Sequence, residues 1–199
     1  MAITGFGANP LNLNKGDILD LTKMAPSLKN VIVGCGWDVN DTGGDNYDLD
    51  ISAFLLDKNG KVRNPAIHVV FFNAPSQQGI FSEGDNLTGS GDDGEDDERI
   101  HVNLDEIASD VDSIVFQVNI YNAMEKRQTF GMVKNSYIRL LDSDNNDKEL
   151  ARFALKEDAA SSTAVTFAKL FRTRNGWSFE AIGQTLVVKD LNQLLLRYM

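Results

Sequence analysis

The chain has 199 residues, 42% of them hydrophobic and 24% charged, with 19 Lys and Arg against 29 Asp and Glu. That balance supports a packed core and excludes an intrinsically disordered chain, and the length fits one domain spanning residues 1–199. The net charge of −10 with no basic stripe excludes nucleic acid as a partner, and no apolar run approaches the roughly 18 residues needed to span a bilayer.

Met1-Ala-Ile-Thr-Gly-Phe6 has neither the basic nor the apolar region of a secretory signal, so a cytoplasmic location is expected. Asp17 to Leu21 and Asn30 to Trp37 read as the first strands. The second of these contains Cys35, the chain's one cysteine, which reads as a small buried strand residue in a reducing compartment. A nucleophilic thiol would want a basic neighbour in sequence, and there is none.

Residues 38–50 then carry Asp38, Asp41, Asp45, Asp48 and Asp50 without a Lys or Arg. Leu49 to Leu56 follows as a strand, with Leu49, Ile51, Ala53 and Leu55 on a core face and Asp48, Asp50 and Ser52 on a polar one. Asn59-Gly60 favours a two-residue hairpin turn, because both residues can take positive φ. Ile67 to Phe72 is the next strand candidate.

A second acidic segment, residues 83–98, holds Glu83, Asp85, Asp92, Asp93, Glu95, Asp96, Asp97 and Glu98, again with no Lys or Arg. The two segments contain 13 of the 29 acidic residues, and the rest of the chain is slightly basic. Strand candidates continue at Arg99 to Asn103, Ser113 to Ile120, Tyr137 to Leu141, Glu149 to Leu155, Ala164 to Thr173 and Trp177 to Ala181, the last two joined by Asn175-Gly176. Asn103 could cap a short turn through Leu104 and Ile107, and Asp190 a C-terminal helix through Leu191, Leu194, Leu195 and Tyr198. The expected fold is all-β, a two-sheet sandwich of about eight to ten strands with a few short helices.

Calcium takes 6–8 oxygen ligands in a tolerant geometry, and the two segments offer carboxylates together with Asn40, Asn46, Asn86 and Thr88. Their glycines, Gly43, Gly44, Gly84, Gly89, Gly91 and Gly94, would let carbonyls turn inward without crowding an ion. Asp48 and Asp50, two apart on a strand start, would aim at a common point. Solvated acidic loops are the bland alternative, and magnesium or manganese another. There is no EF-hand, because residues 38–50 lack its closing glutamate. Asp142 to Asp147 reads as a polar hairpin turn. His68 and His101 have no Cys or His at zinc spacing and read as structural.

Gly36-Trp-Asp38, Tyr47-Asp-Leu-Asp50-Ile-Ser-Ala-Phe-Leu-Leu-Asp57, Gly84-Asp-Asn-Leu-Thr-Gly89 and Asp96-Asp-Glu98 together resemble the TerD family of bacterial tellurium-resistance and stress proteins. Leu13-Asn-Lys-Gly16, Phe71-Phe72-Asn73, Ile138 to Asp142 and Glu149 to Arg152 extend the resemblance over nearly the whole chain. It implies a calcium-binding sandwich distantly like a C2 domain, with two Ca²⁺ ions. It also implies metal positions at Asp38, Asp48, Asp50, Asp85, Asp96, Asp97 and Glu98, with Asn86 and Thr88 as oxygen donors. Ser90 to Glu95 is longer than the family's usual stretch there.

The expected function is a non-enzymatic calcium-binding module for tellurite resistance and general stress response. Ca²⁺ would order the two loops so that they dock a partner: another tellurium-resistance protein or a membrane-associated complex, without direct membrane insertion. Two alternatives stand beside it. A metal-dependent hydrolase could use the carboxylates as a two-metal site, although neither segment supplies a basic group for proton transfer. Direct tellurite reduction by Cys35 is the other, and one buried thiol is weak equipment for it.

Overall fold

Strands are the dominant regular structure, and inward and outward residues alternate along several of the longer ones. The computed structural model describes residues 7, 9–40, 43–77, 79–89, 96–154 and 160–199. The strands are β1 (Leu11–Asn12), β2 (Ile18–Asp20), β3 (Asn30–Gly36), β4 (Leu49–Leu56), β5 (Val69–Val70), β6 (Ser76–Gln77), β7 (Ile80–Ser82), β8 (Glu98–Asn103), β9 (Ser113–Ile120), β10 (Tyr137–Asp142), β11 (Lys148–Ala154), β12 (Ala164–Thr173) and β13 (Gly176–Leu186). The described residues also form four short α-helices, α1 (Leu21–Met24), α2 (Pro65–His68) and α3 (Ala123–Lys126) between strands and α4 (Leu191–Leu195) after the last one. Among the expected acidic positions, Asp41, Asp92, Asp93 and Glu95 lie outside the described residues, as do Gly91, Gly94 and Leu155.

The strands form two sheets, in the orders β1-β11-β10-β3-β8-β7-β6 and β2-β13-β12-β9-β4-β5. All pairings are antiparallel except β1 with β11. The inner faces meet in a core that includes Val33, Ile51, Leu55, Ile100, Phe116, Ile138, Phe167 and Phe179. The expected all-β sandwich is therefore the observed one. The very short β1, β6 and β7 and the helical start at Pro65 were not anticipated, because strands of two or three residues carry no readable period.

The expectation of one core face and one polar face for β4 needs correction. All eight of its residues are buried, because beyond Asp50 and Ser52 the second face continues as Phe54 and Leu56. These pack with Val62, Val69, Val115, Val188 and Leu194 in a smaller outer core covered by α4. Asp190 caps α4 by accepting from the Gln193 N–H at 3.0 Å, as its sequence suggested. Asn103 likewise caps a short turn, its Oδ1 accepting from the Asp105 N–H. At 57–61 only Gly60 takes positive φ. The Asp57 carboxylate binds the Asn59 and Lys61 N–H groups and closes a wider turn than the two-residue one expected. Asp142 to Asp147 forms a short 3-10 turn between β10 and β11, as expected of a polar hairpin.

Gly34 shows how tightly the first sheet is specified. It stands in register between Arg139 on β10 and Arg99 on β8, and a Cβ there would fall 2.2 Å from the Asp96 carboxylate. That carboxylate lies over the glycine and accepts from Arg139 Nε at 2.6 Å and Arg99 Nε at 3.0 Å. Arg139 also holds Glu149, which is paired in turn with Arg152. Asp96 thus closes a network across four strands.

Candidate metal centre

At one end of the sandwich β3 stops, β4 starts, β8 starts and β9 stops, and both acidic segments meet there. Asp48 and Asp50 share the outer side of the β4 start, and the 83–89 loop brings Asp85 against them. One carboxylate oxygen from each of the three lies within 4.8 Å of the others. Asp48 and Asp50 are buried and Asp85 is exposed, which leaves the group open to solvent on one side. Asp50 is register-paired with Asn119 on β9, whose Nδ2 donates to Asp50 Oδ2 at 3.2 Å. Asn119 is thus a positioning residue for the cluster.

Three clustered carboxylates repel one another and lose hydration. Burial pushes the Asp50 carboxyl up to about 7, reinforced by Asp48 and Asp85 and opposed by Asn119 and Lys126. Burial also raises Asp48, against the pull of Lys126. One oxygen of Asp48, Oδ1, is buried with no hydrogen-bond partner among the described residues. A buried carboxylate oxygen without a partner is costly unless a cation takes it. The donor set of oxygens alone, on an open loop, suits Ca²⁺ better than a softer metal, so the residues present fit the ion that the resemblance implies.

The other expected residues hold the loops. Glu98 is buried, its Oε2 accepting from the Ile51 N–H at 2.7 Å and its Oε1 from the Asn86 N–H at 3.3 Å. The first of these is available because β5 pairs with β4 only at Ala53 and Phe54. Burial pushes the Glu98 carboxyl up to about 9, with repulsion from Asp50 and Asp85 adding to it and the two N–H donors opposing. Asp97 accepts from the Trp37 N–H at 2.8 Å and from Asn86 Nδ2 at 3.1 Å, and burial leads the causes that raise its carboxyl. Asn86 Oδ1 accepts from the Thr88 and Gly89 N–H groups, and Asp38 accepts from Asn135 at 2.8 Å. Asp96, tied to Arg99 and Arg139, is turned to the sheet surface and away from the cluster.

Two glycines here serve packing. A Cβ on Gly89 would meet Trp37 Nε1 at 2.4 Å, and one on Gly36 the Tyr137 hydroxyl at 2.4 Å. Gly89 at φ +68 therefore seats its loop on the indole, whose Nε1 donates to the Tyr47 carbonyl. Making room for an ion, the role expected of Gly89, is not the role its contacts give it.

Sequence reading also missed Lys126, on α3, whose Nζ lies 3.9 Å from Asp48 Oδ2 and 5.7 Å from the Tyr121 ring centre. The acidic segments contain no basic residue, but the fold brings this one to the Asp48 side of the cluster. Cys35 is fully buried, and burial followed by Glu98 raises its thiol well above the usual range, the opposite of an activated nucleophile. His68 is buried with Nδ1 against the Asn64 carbonyl, and His101 stacks on Phe81 and meets Glu83. No helix among the described residues is long and apolar enough to cross a membrane.

A family model described as TerD domain matches residues 10–198. The chain is 46% identical to tellurium resistance protein TerD of Serratia marcescens, over 87% of this chain and 90% of that one. It is 40% identical to general stress protein 16U of Bacillus subtilis, over 87% and 89%. A solved structure of a homologue of telluride resistance protein TerD from Streptomyces coelicolor superposes with a TM-score of 0.68 at 23% identity, covering 83% of this chain and 95% of that one.

Proposed function

Because the chain belongs to the TerD family, we propose that it is a non-enzymatic calcium-binding module of the cytoplasm that acts in tellurite resistance and general stress response. The observation that carries the calcium part is the convergence of Asp48, Asp50 and Asp85, with a buried Asp48 oxygen that no described residue satisfies. Their three carboxylates would hold one ion. A second is expected near Asp38 and Asp97, which are close enough for Asp38 to raise the Asp97 carboxyl. The names of the relatives support the stress role.

Ion binding would pull the Glu83–Gly89 loop onto β4 and fix the end of the sandwich that carries exposed Val39, Leu87, Tyr121 and Met124. That end is the proposed docking surface for another tellurium-resistance protein or a membrane-associated complex. Calorimetric titration of Ca²⁺ into chelator-treated protein tests the reading. Saturable heat is expected, and Asp48→Asn with Asp50→Asn should remove at least one site. A heat-silent wild type with an unchanged melting temperature would sink it.

Lys126 gives one specific observation in favour of a second reading, a metal-dependent hydrolase in which this ammonium clamps a phosphoryl oxygen beside the cluster. A manganese-dependent phosphatase screen of the wild type and of Lys126→Ala separates the two. Turnover lost in the variant would favour the enzyme, and no turnover in either protein the binding module.

A further inference from the structure

The acidic cluster comes with its own counter-charge. Lys126 Nζ stands 3.9 Å from Asp48 Oδ2, on a side chain that is 23% exposed. That separation is too long for a hydrogen bond, and Asp48 Oδ1 has no partner among the described residues. The ammonium therefore lends Asp48 its charge without occupying either oxygen, and both stay available to a ligated ion. Its field reaches further than Asp48. Burial leads the causes that raise the Asp48 and Asp50 carboxyls, and Lys126 pulls both the other way.

The fold holds this ammonium beside the acidic loop. The segment from Tyr121 to Gln128 is tied to that loop at both ends. The Tyr121 N–H donates to the Asp48 carbonyl at 2.8 Å, and Gln128 Nε2 donates to the Asp45 and Asn46 carbonyls at 2.9 and 3.2 Å. Between the two ties, Asn122 and Arg127 take left-handed backbone at φ 53 and φ 54 and confine α3 to a single turn. Lys126 is the last residue of that turn, with Nζ 5.7 Å from the Tyr121 ring centre, within cation–π reach. An ion that arrives at Asp48 therefore meets a positive charge already in place.

Resting on the calcium reading, we propose that Lys126 is a built-in counter-charge that lowers the cluster's affinity for its ion and keeps that ion releasable. In the ion-free protein it offsets one of the three negative charges that Asp48, Asp50 and Asp85 carry when ionised. An ion on Asp48 Oδ2 would sit about 2.4 Å from that oxygen. An ammonium that keeps its place then lies at most about 6 Å from the ion. Repulsion between a unit and a double charge at about 6 Å, screened as in water, is worth about tenfold in affinity. A trivalent ion in the same place would lose about thirtyfold, because the repulsion grows with the ion's charge. Loss of a merely structural contact would not follow that charge.

The test titrates Ca²⁺ by calorimetry and Tb³⁺ by luminescence into chelator-treated wild type, Lys126→Met and Lys126→Arg at pH 7.5 and low salt. Methionine keeps the length and helix preference of the side chain without its charge, and arginine keeps the charge. At one site Lys126→Met should bind Ca²⁺ about tenfold and Tb³⁺ about thirtyfold more tightly than wild type. Lys126→Arg should stay within about threefold of wild type for both ions. Protons compete with the two ions alike, so the ratio between the gains reads charge. Calcium bound no more tightly by Lys126→Met, equal gains for the two ions, or the same gain in Lys126→Arg would overturn the proposal. Equal calcium heats and affinities in all the proteins would do so while leaving the calcium reading in place. No heat from any of them would remove that reading, and the counter-charge with it.

Discussion

Replacing Asp50 by Asn should move stability in opposite directions with and without calcium. Without an ion, the Asp50 carboxyl ionises only at about 7 in the folded chain, against about 3.9 when unfolded. Each unit of that difference corresponds to about 1.4 kcal/mol, so at pH 8 keeping the ionised group in place costs up to roughly 4 kcal/mol. Asparagine keeps an oxygen for the Asn119 Nδ2 donor and turns an amide toward Asp48 and Asp85. Solvent reaching the open side of the cluster reduces the effect, so a gain of about 1–3 kcal/mol is expected in EDTA at pH 8. For a chain of this length that is about 2–12 °C in melting temperature. With free calcium at 100 times the dissociation constant, one ion adds about 2.7 kcal/mol to the wild type, and the variant should lose most of that increment. Thermal melts of both proteins at pH 8, in EDTA and in calcium, read both signs. An Asn variant that is destabilised in EDTA, or that keeps the full calcium shift, would refute the placement of Asp50 in a mutually repelling ion site.

Other outcomes follow from the same geometry. Asp50 and Glu98, up to about 7 and 9, both titrate above their unfolded values. Their contribution is therefore fully present below about pH 4 and is lost as pH rises through those values. Ion-free protein should weaken in urea melts from pH 5 to pH 9 by up to about 1.4 kcal/mol per unit for each group, and calcium should flatten the decline. Asp96→Ala removes the acceptor shared by Arg139 and Arg99 while Arg139 keeps Glu149, and should cost about 1.5–3 kcal/mol. Its calcium heats should stay intact, because Asp96 lies over Gly34 and outside the cluster. Gly34→Ala forces a methyl into that carboxylate and should cost at least about 1–3 kcal/mol by urea denaturation, again without touching calcium binding.

The sandwich was legible because most of its strands are long enough to alternate and are bounded by turn residues. Ser113–Ile120 and Ala164–Thr173 appear where their patterns place them. Sequence gave less warning of the outer core, because Phe54 and Leu56 continue the face that begins with Asp50 and Ser52, and nothing local says that α4 will fold back over them. Asp48 and Asp50 could be read as a pair, since a spacing of two on a strand is a statement about direction. Asp96, Asp97 and Glu98 could not be told apart, since three consecutive acids offer the same chemistry and differ only in what the fold puts opposite each. Asp96 meets two arginines, Asp97 the Trp37 N–H, and Glu98 the Ile51 N–H.

The same limit hid Asn119 and Lys126. They lie far along the chain from Asp50 and Asp48 and reach them only because β9 pairs with β4 in the register Asp50 to Asn119 and leads into α3. A slip of one residue in that register would turn Asn119 inward and leave Asp50 facing an apolar side chain. The motif carries the carboxylates, and the strand register decides which of them can share an ion.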